Sequence, residues 1–249
     1  MRAVYILWLR QLKRYSRSPA RVIGSLGQPL LFLLALGFGF GPTFSRATGG
    51  GNYIQFLAPG IISMGILFTA VFSGIEIIWD RQFGFLKETL VAPVSRLQIS
   101  LGRTLGGATV ALFQGLVVLV VCLVAGFRVA QVVLLPVAFV FMAMIAIFFT
   151  ALGTAIGSVL EDMQGFPLVM NFLVMPLFFF SNALFPIAGL PKVLQLFIRL
   201  NPLSYGVDGL RGALGSAFVF GLGMDFVALG FLTAILLGIG TYLFSKIEV

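Results

Sequence analysis

The chain has 249 residues, of which 59% are hydrophobic and 10% are charged, and its formal net charge is +8. Soluble domains carry about 25% charged residues because they present a hydrated surface, so this composition excludes a soluble domain. About 20 apolar helical residues cross the hydrocarbon core of a bilayer. Six charge-free runs reach that length, and the sequence therefore predicts an all-α, polytopic membrane protein. The runs are 22–45, 47–75, 104–127, 129–160, 163–191 and 226–245.

The first segment, residues 1–20, has the periodicity of an amphipathic helix. One face carries apolar and aromatic side chains, and the opposite face carries cations. The apolar face consists of Val4, Trp8, Leu12 and Tyr15, and the basic face consists of Arg10, Lys13, Arg14, Arg17 and Arg21. Such a helix lies in the headgroup layer of the cytoplasmic leaflet, where tryptophan and tyrosine are common. It acts either as a membrane anchor or as an elbow that couples a cytoplasmic partner to the first span.

The charge-free runs place six transmembrane helices along the chain. Their approximate limits are 22–40, 54–78, 104–126, 132–158, 165–185 and 224–245. When the chain is threaded through six spans, eleven of its sixteen lysines and arginines fall on one side. An excess of lysine and arginine marks the cytoplasmic side, so both termini are predicted to be cytoplasmic.

The cytoplasmic loop at 80–100, between spans two and three, contains the most informative polar segment. A short helix is predicted here, because Gly84 provides a start and Pro93 follows its end. Its apolar face carries Phe85, Leu86, Thr89 and Leu90, with Lys87 and Glu88 beside it. A short helix with an apolar ridge and charged flanks suits docking into a groove on another protein. An ordinary solvated loop is the alternative.

Glu76 lies at the inner end of span two, where a carboxylate is costly unless it is paired or close to the interface. Arg81 and Arg103 are the candidate partners. We interpret Glu76 and Arg81 as an interfacial, structural ion pair, in preference to a proton site that acts on a substrate.

The stretch 186–223, between spans five and six, is apolar but interrupted by prolines and glycines. It predicts short re-entrant or interfacial helices on the outer side, where irregular backbone needs protein or water to cover it. Asp208 precedes Arg211 by three residues, so the two can pair on a helix. We interpret them as a structural ion pair of this outer segment.

The sequence contains no motif for catalysis, metal binding or ATP binding. Histidine is absent, and Cys122 is the single cysteine, so no catalytic residue and no metal ligand are assigned. None of the four lysines lies in a Gly-x-x-x-x-Gly-Lys-Ser/Thr phosphate loop. An ion-coupled carrier or channel is the alternative function, but it would need ionisable residues inside the spans, and only Glu76 comes close.

Three segments together carry a resemblance that extends over essentially the whole chain. The chain resembles the permease subunits of ABC-2-type exporters, and the loop resembles the drug-exporting branch of that family most closely. The first segment is Phe56-Leu57-Ala58-Pro59-Gly60, and the second is the loop from Asp80-Arg81 to Pro93, followed by Gly102-Arg103. The third is the stretch 190–211, which contains in order Leu190-Pro191, Asn201-Pro202-Leu203-Ser204-Tyr205 and Arg211.

The resemblance implies one transmembrane permease domain, residues 1–249, in the cytoplasmic (inner) membrane. Residues 1–20 would be its connecting helix, with Trp8, Arg10, Lys13, Arg14 and Arg17. Residues 84–90 would be the coupling helix, seated in a cleft of an ATPase subunit, and the coupling residues would be Phe83, Gly84, Phe85, Leu86, Lys87, Glu88, Thr89, Leu90 and Pro93. Residues 186–223 would cap the pathway.

The resemblance also implies an assembly in which two permease copies join two ATPase subunits. This chain would bind no cofactor, and ATP and magnesium would be held by the partner ATPase. The permease would therefore be a transducer and a pathway, not an enzyme. The expected cargo is a lipophilic drug, a lipid or a glycan.

Overall fold

The computed structural model describes residues 2–41, 43, 52–91, 93–187, 190–215 and 218–247. Within these ranges the protein has 83% helix and no strand, which confirms the predicted all-α class. The α-helices of the described residues are α1 Arg2–Ser16, α2 Pro19–Phe32, α3 Tyr53–Phe72, α4 Ile75–Gln82, α5 Phe85–Val91, α6 Arg96–Val124, α7 Leu135–Val159, α8 Gly165–Phe179, α9 Lys192–Leu200, α10 Pro202–Gly215 and α11 Leu222–Ser245. A π-helix at Leu33–Phe38 continues α2, and a 3₁₀ turn at Val132–Leu134 leads into α7.

Four helical stretches of the described chain are long and apolar enough to cross a membrane. They are Tyr53–Gln82, Arg96–Val124, Val132–Val159 and Leu222–Ser245. Two further apolar helices, Val22–Phe38 and Gly165–Phe179, are shorter. The predicted multi-pass character is therefore confirmed, whereas a count of six spans is not established by helix length.

The fifth predicted span, 165–185, is shorter than expected because α8 ends at Phe179. Beyond this end, Asn182 takes the left-handed backbone conformation, with φ 59°, which asparagine tolerates better than most residues. The side-chain amide of Asn201 donates to the carbonyl oxygens of Leu177 at 2.6 Å and Phe180 at 2.8 Å. A residue from the next segment thus satisfies the exposed carbonyl end of α8.

The α3–α4 stretch forms the centre of the bundle, with 72% of its most apolar window buried, against 17% for α11. Helices α6, α7, α8 and α10 all pack against α3. The stretch predicted to be re-entrant contains α9 and α10. Helix α10 is buried almost throughout, while α9 exposes Leu196, Phe197 and Leu200.

Glycines let the junction between α3 and α4 lie directly against α7. A Cβ atom on Gly153 would overlap the carbonyl oxygen of Val71, and one on Gly74 would overlap the carbonyl oxygen of Gly153. A Cβ on Gly157 would lie 2.5 Å from the carbonyl oxygen of Gly74. These contacts are backbone to backbone, so no flexible side chain can move aside to make room for a methyl group.

The first testable prediction concerns this helix crossing. Gly153→Ala should lower the free energy of unfolding by about 1–3 kcal/mol, because the added methyl group forces the two backbones apart. The melting temperature of the detergent-purified protein measures the effect. Gly238→Ala is the matched control, since no atom lies within 4 Å of its Cβ position and alanine is a better helix former. Equal melting temperatures for the two variants would contradict the crossing.

Candidate functional site

Helix α1 packs along the first half of α6. Cβ atoms on Gly102 and Gly106 would lie 2.9 Å from Leu7 and 2.6 Å from Gln11, so small residues on α6 permit the close approach. The indole N–H of Trp8 donates to the Thr109 hydroxyl at 3.0 Å. The apolar face that the sequence predicted for α1 is therefore directed, at least at Trp8, toward another helix.

The same packing brings Tyr15 into the bundle. Its hydroxyl donates to the side-chain oxygen of Gln114 at 2.9 Å, and both residues are buried. A polar side chain inside a membrane helix requires such a partner. Helix α1 is thus held to α6 near its middle by Trp8 and near its end by Tyr15.

Asp80 on α4 is the centre of a charge cluster at what we name the basic end, formed by α1, α4, α5 and the first turns of α6. Its carboxylate accepts from Arg103 of α6 at 2.5 Å and from Arg10 of α1 at 3.0 Å. Asp80 and Arg103 are only 4% and 5% exposed. One carboxylate therefore joins three helices through charge-assisted hydrogen bonds.

Glu76 and Arg81, which the sequence suggested as an ion pair, have different partners. Glu76 lies 3.7 Å from Arg14 of α1. Arg81 donates to the carbonyl oxygen of Ser158 at 2.9 Å and lies 3.5 Å from Glu161. The physical reason is helical geometry, because residues five apart point in directions about 140° apart. Both side chains still make interhelical contacts, so their expected structural role remains.

Helix α5 corresponds to the predicted short helix of the 80–100 loop. Gly84, which precedes it, has φ 79°, a conformation that favours glycine. Phe83, Phe85, Lys87 and Glu88 are exposed, and so is Pro93 beyond the helix. The Thr89 hydroxyl donates to the backbone oxygen of Phe85 at 2.9 Å. The side chain of Leu90 lies outside the described part of the structure.

Leu86 is the exception to the predicted apolar ridge, because it is fully buried. It packs in what we name the anchor cluster, which consists of Ile77, Leu86, Ile99, Phe244 and Ile247. Adjacent helical residues point about 100° apart, so Leu86 faces inward while Phe85 faces outward. The expectation that Leu86 contributes to an exposed docking face is wrong, and its side chain instead fastens α5 to α4, α6 and the end of α11.

Arg96 at the start of α6 strengthens the same attachment. Its guanidinium donates to the carbonyl oxygens of Ser245 at 2.5 Å and Ile247 at 2.9 Å. The Ser245 carbonyl is one of the unpaired groups that the end of α11 leaves, and Ile247 follows two residues later. A cation at this position also interacts favourably with the helix dipole. The sequence analysis did not assign Arg96 a role, since the end of α11 is distant in sequence.

Helix α1 also contacts the aromatic side chains of α4 and α5. The Arg14 guanidinium lies 5.3 Å from the ring centre of Trp79, and that of Arg10 lies 5.9 Å from the ring centre of Phe85. Both are within cation–π distance. Lys13 and Arg17 are exposed, and neither forms an ion pair with any residue that the structure describes.

Asp208 and Arg211 at the opposite end are buried, but within the described chain they do not form an ion pair with each other. The Asp208 carboxylate accepts from the backbone N–H groups of Val219 and Phe220, each at 2.8 Å. Arg211 donates to the carbonyl oxygen of Asn182 at 2.8 Å. Backbone groups of neighbouring loops replace the direct pair that the i, i+3 spacing suggested, and both residues hold the segment around α10 together.

The long apolar helices define a multi-pass membrane protein. At its basic end, the short helix α5 is partly exposed and is attached to the membrane-length helices. Residues 2–215 match the family model described as ABC-2 type transporter. The chain therefore belongs to the ABC-2 type transporter family, and it is a transmembrane permease of that family. The resemblance found in the sequence is confirmed.

Three relatives illustrate the family. The transport permease ycf38 of Cyanophora paradoxa is 30% identical over 210 residues, which cover 84% of this chain and 72% of the relative. That of Porphyra purpurea is 33% identical over 210 residues, covering 78% and 68%. Nodulation protein J of Rhizobium leguminosarum bv. trifolii is 30% identical over 208 residues, covering 82% and 78%. The similarity thus extends over most of each chain.

The second prediction concerns the Asp80 centre. Asp80→Ala should cost about 3–5 kcal/mol of unfolding free energy, because it leaves the buried Arg103 guanidinium without its carboxylate. Asp80→Leu combined with Arg103→Met should regain most of that loss, since an apolar pair can replace a buried ion pair. Thermal unfolding in detergent measures both changes.

Glu161→Gln is the control for these variants, because its side chain is 85% exposed and surface substitutions change stability by about 0.5 kcal/mol or less. A stable Asp80→Ala protein would contradict the proposed importance of the pair. So would a double variant that unfolds as readily as Asp80→Ala alone.

Proposed function

We propose that this chain is the permease subunit of an ATP-binding-cassette exporter and that it transmits the movement of a separate ATPase to a membrane pathway. The observation that carries the proposal is the arrangement of α5. Its exposed side presents Phe85, Lys87 and Glu88, while Leu86 packs against residues of α4, α6 and the end of α11. A short helix with such a face suits docking into a groove of a partner.

The proposed coupling runs through two attachments. Movement of α5 reaches α4, α6 and α11 through the anchor cluster. Movement of α1 reaches α4 and α6 through Arg10, Asp80 and Arg103. ATP and magnesium bind to the partner and supply the driving reaction there. ATP binding to the partner can shift the permease from one conformation to another only if it stabilises one conformation more than the other. This chain transmits that shift to the membrane pathway.

The proposed topology has six crossings within one permease domain, residues 1–249, of the cytoplasmic (inner) membrane, with both termini cytoplasmic. The distribution of lysine and arginine supports this orientation. α2, with the π-helix that follows it, and α8 provide the two shorter crossings. α9 and α10 form the re-entrant pair on the outer side, supported by the apolar side chains that α9 exposes.

Two permease copies and two ATPase subunits form the proposed transporter. α2 and α8 provide the surface for the second copy. Cβ atoms on Gly24 and Gly27 of α2 would meet no atom within 4 Å, and Phe172 of α8 is 85% exposed. Small residues without neighbours on a membrane helix allow a second helix to approach closely.

The proposed cargo is a lipophilic drug, a lipid or a glycan. A cavity of about 450 Å³ between α2 and α3 supports a path for such a molecule on the side of the second copy. Its lining combines Phe68 and Phe72 with the polar side chains of Ser25, Gln28 and Thr69. Apolar walls with a few hydrogen-bonding groups are typical of binding sites for small amphiphilic molecules.

The third prediction tests docking through α5. Mass spectrometry of the complex purified from native membranes should identify an ATP-binding-cassette subunit and its stoichiometry. Lys87→Glu combined with Glu88→Arg should lower recovery of that subunit at least tenfold, because like charges placed across an interface cost several kcal/mol. The melting temperature should not change, since both side chains are exposed.

Lys192→Glu, a charge reversal on exposed α9, is the control and should retain the subunit. A Lys87→Glu, Glu88→Arg variant that keeps the subunit and ATP-dependent transport would contradict the docking assignment. Absence of any copurified ATPase would contradict the proposed function as a whole.

The fourth prediction separates docking from transmission. Leu86→Ala keeps the exposed face of α5 but removes side-chain contacts from the anchor cluster, and it should cost about 2–5 kcal/mol of local stability. We expect the ATPase subunit to remain bound while the number of cargo molecules transported per ATP falls. Unchanged coupling in this variant would show that movement passes to the spans by another route.

A further inference from the structure

A groove at the basic end lies between α1 on one side and α4 and α5 on the other. Its volume is about 590 Å³, within the range of small-molecule sites. Four cations line it, three from α1 and one from the residue after its end, together with Trp79, Asp80, Phe83 and Phe85. The cations are Arg10, Lys13, Arg14 and Arg17.

Two of these four cations are neutralised within the chain, and two are not. Arg10 is paired with Asp80, and Arg14 with Glu76. Lys13 and Arg17 have no carboxylate partner among the described residues, although both line the groove. Lys13 lies on α1, and Arg17 follows the last residue of α1, with its backbone N–H donating to the carbonyl oxygen of Lys13 at 3.2 Å. The helical hydrogen bond keeps the two residues on one side of the chain. The groove thus has a local excess of positive charge, which attracts anions from outside the chain.

The opposite wall of the groove is aromatic. Phe83 is 70% exposed, and Trp79 lies under the Arg14 guanidinium. Exposed aromatic side chains beside lysine and arginine are typical of the boundary between membrane and water. The position of α1 along the first half of α6, a membrane-length helix, puts the groove at the level of that boundary.

We propose that this groove binds the headgroup of an anionic phospholipid, with Lys13 and Arg17 at the phosphate and Trp79 and Phe83 against the start of the acyl chains. Charge complementarity argues for this occupant: the cations without a carboxylate partner attract an anion, and the aromatic wall suits an apolar body attached to it. The anionic leaflet faces the basic side of a membrane protein. The lipid would strengthen the packing of α1 against α4 and α5. This inference goes beyond the proposed export function and does not depend on it.

Trp79 provides a direct reporter of the site. The chain has two tryptophans, so Trp8→Phe leaves Trp79 as the single tryptophan, which is excited selectively at wavelengths that tyrosine does not absorb. The full-length variant is reconstituted into phosphatidylcholine vesicles that contain an equal fraction of brominated phosphatidylglycerol or brominated phosphatidylcholine. We expect the brominated phosphatidylglycerol to quench Trp79 more strongly. Lys13→Gln and Arg17→Gln should each weaken that lipid preference about fivefold, the effect of one basic residue at an anionic surface.

Arg128→Gln and Arg199→Gln, which remove cations from other parts of the chain, are the controls and should keep the preference. Equal quenching by the two brominated lipids would overturn the proposal, as would a preference that survives loss of both Lys13 and Arg17. Displacement by inorganic phosphate, measured against chloride at equal ionic strength, would indicate a free-anion site and would also overturn it. If the copurified ATPase subunit abolishes the preference, the groove belongs to a protein interface and the proposal fails.

Discussion

The buried contact between Asp80 and Arg103 is the constraint on which the basic end depends. Neither group is stable in an apolar interior alone, because removing either partner leaves an uncompensated charge. The ion pair between Asp80 and Arg103 fixes α4 to α6, and Arg10 attaches α1 to the same carboxylate. The pair adds little net stability compared with an apolar contact. Its geometric specificity is the larger contribution, since charge-assisted hydrogen bonds tolerate little displacement.

A second, apolar attachment complements this charged one. The anchor cluster holds α5 by Leu86, and Arg96 ties the end of α11 to the start of α6. Close packing makes such contacts resistant to gradual deformation. In the coupling that we propose, a displacement of α5 would therefore reach the ends of α6 and α11 instead of being absorbed locally. The combination of a rigid attachment and an exposed outer face is what a coupling element requires.

The sequence predicted the features that depend on local pattern and missed those that depend on distant neighbours. The charge-free runs located every long apolar helix, and the periodicity of residues 1–20 located α1. The role of Asp80 was not predictable, because its partners come from α1 and α6. The inward position of Leu86 was equally hidden, since Phe244 and Ile247 lie more than 150 residues away in sequence. Asp225, at the start of the predicted span 224–245, was assigned no role, yet its side chain is fully buried in the first turn of α11.

The length of the shorter apolar helix α8 also depends on residues that are distant in sequence. The 15 residues of α8 extend over about 22 Å, less than the roughly 30 Å of hydrocarbon in a bilayer. The backbone beyond Phe179 is irregular, and Asn201 satisfies the carbonyl groups of Leu177 in the last turn of α8 and of Phe180 just beyond it. Irregular backbone at membrane depth is stable only where protein or water covers it. A short α8 with an exposed Phe172 therefore favours a neighbouring protein surface at this position, and the second permease copy that we propose would provide it.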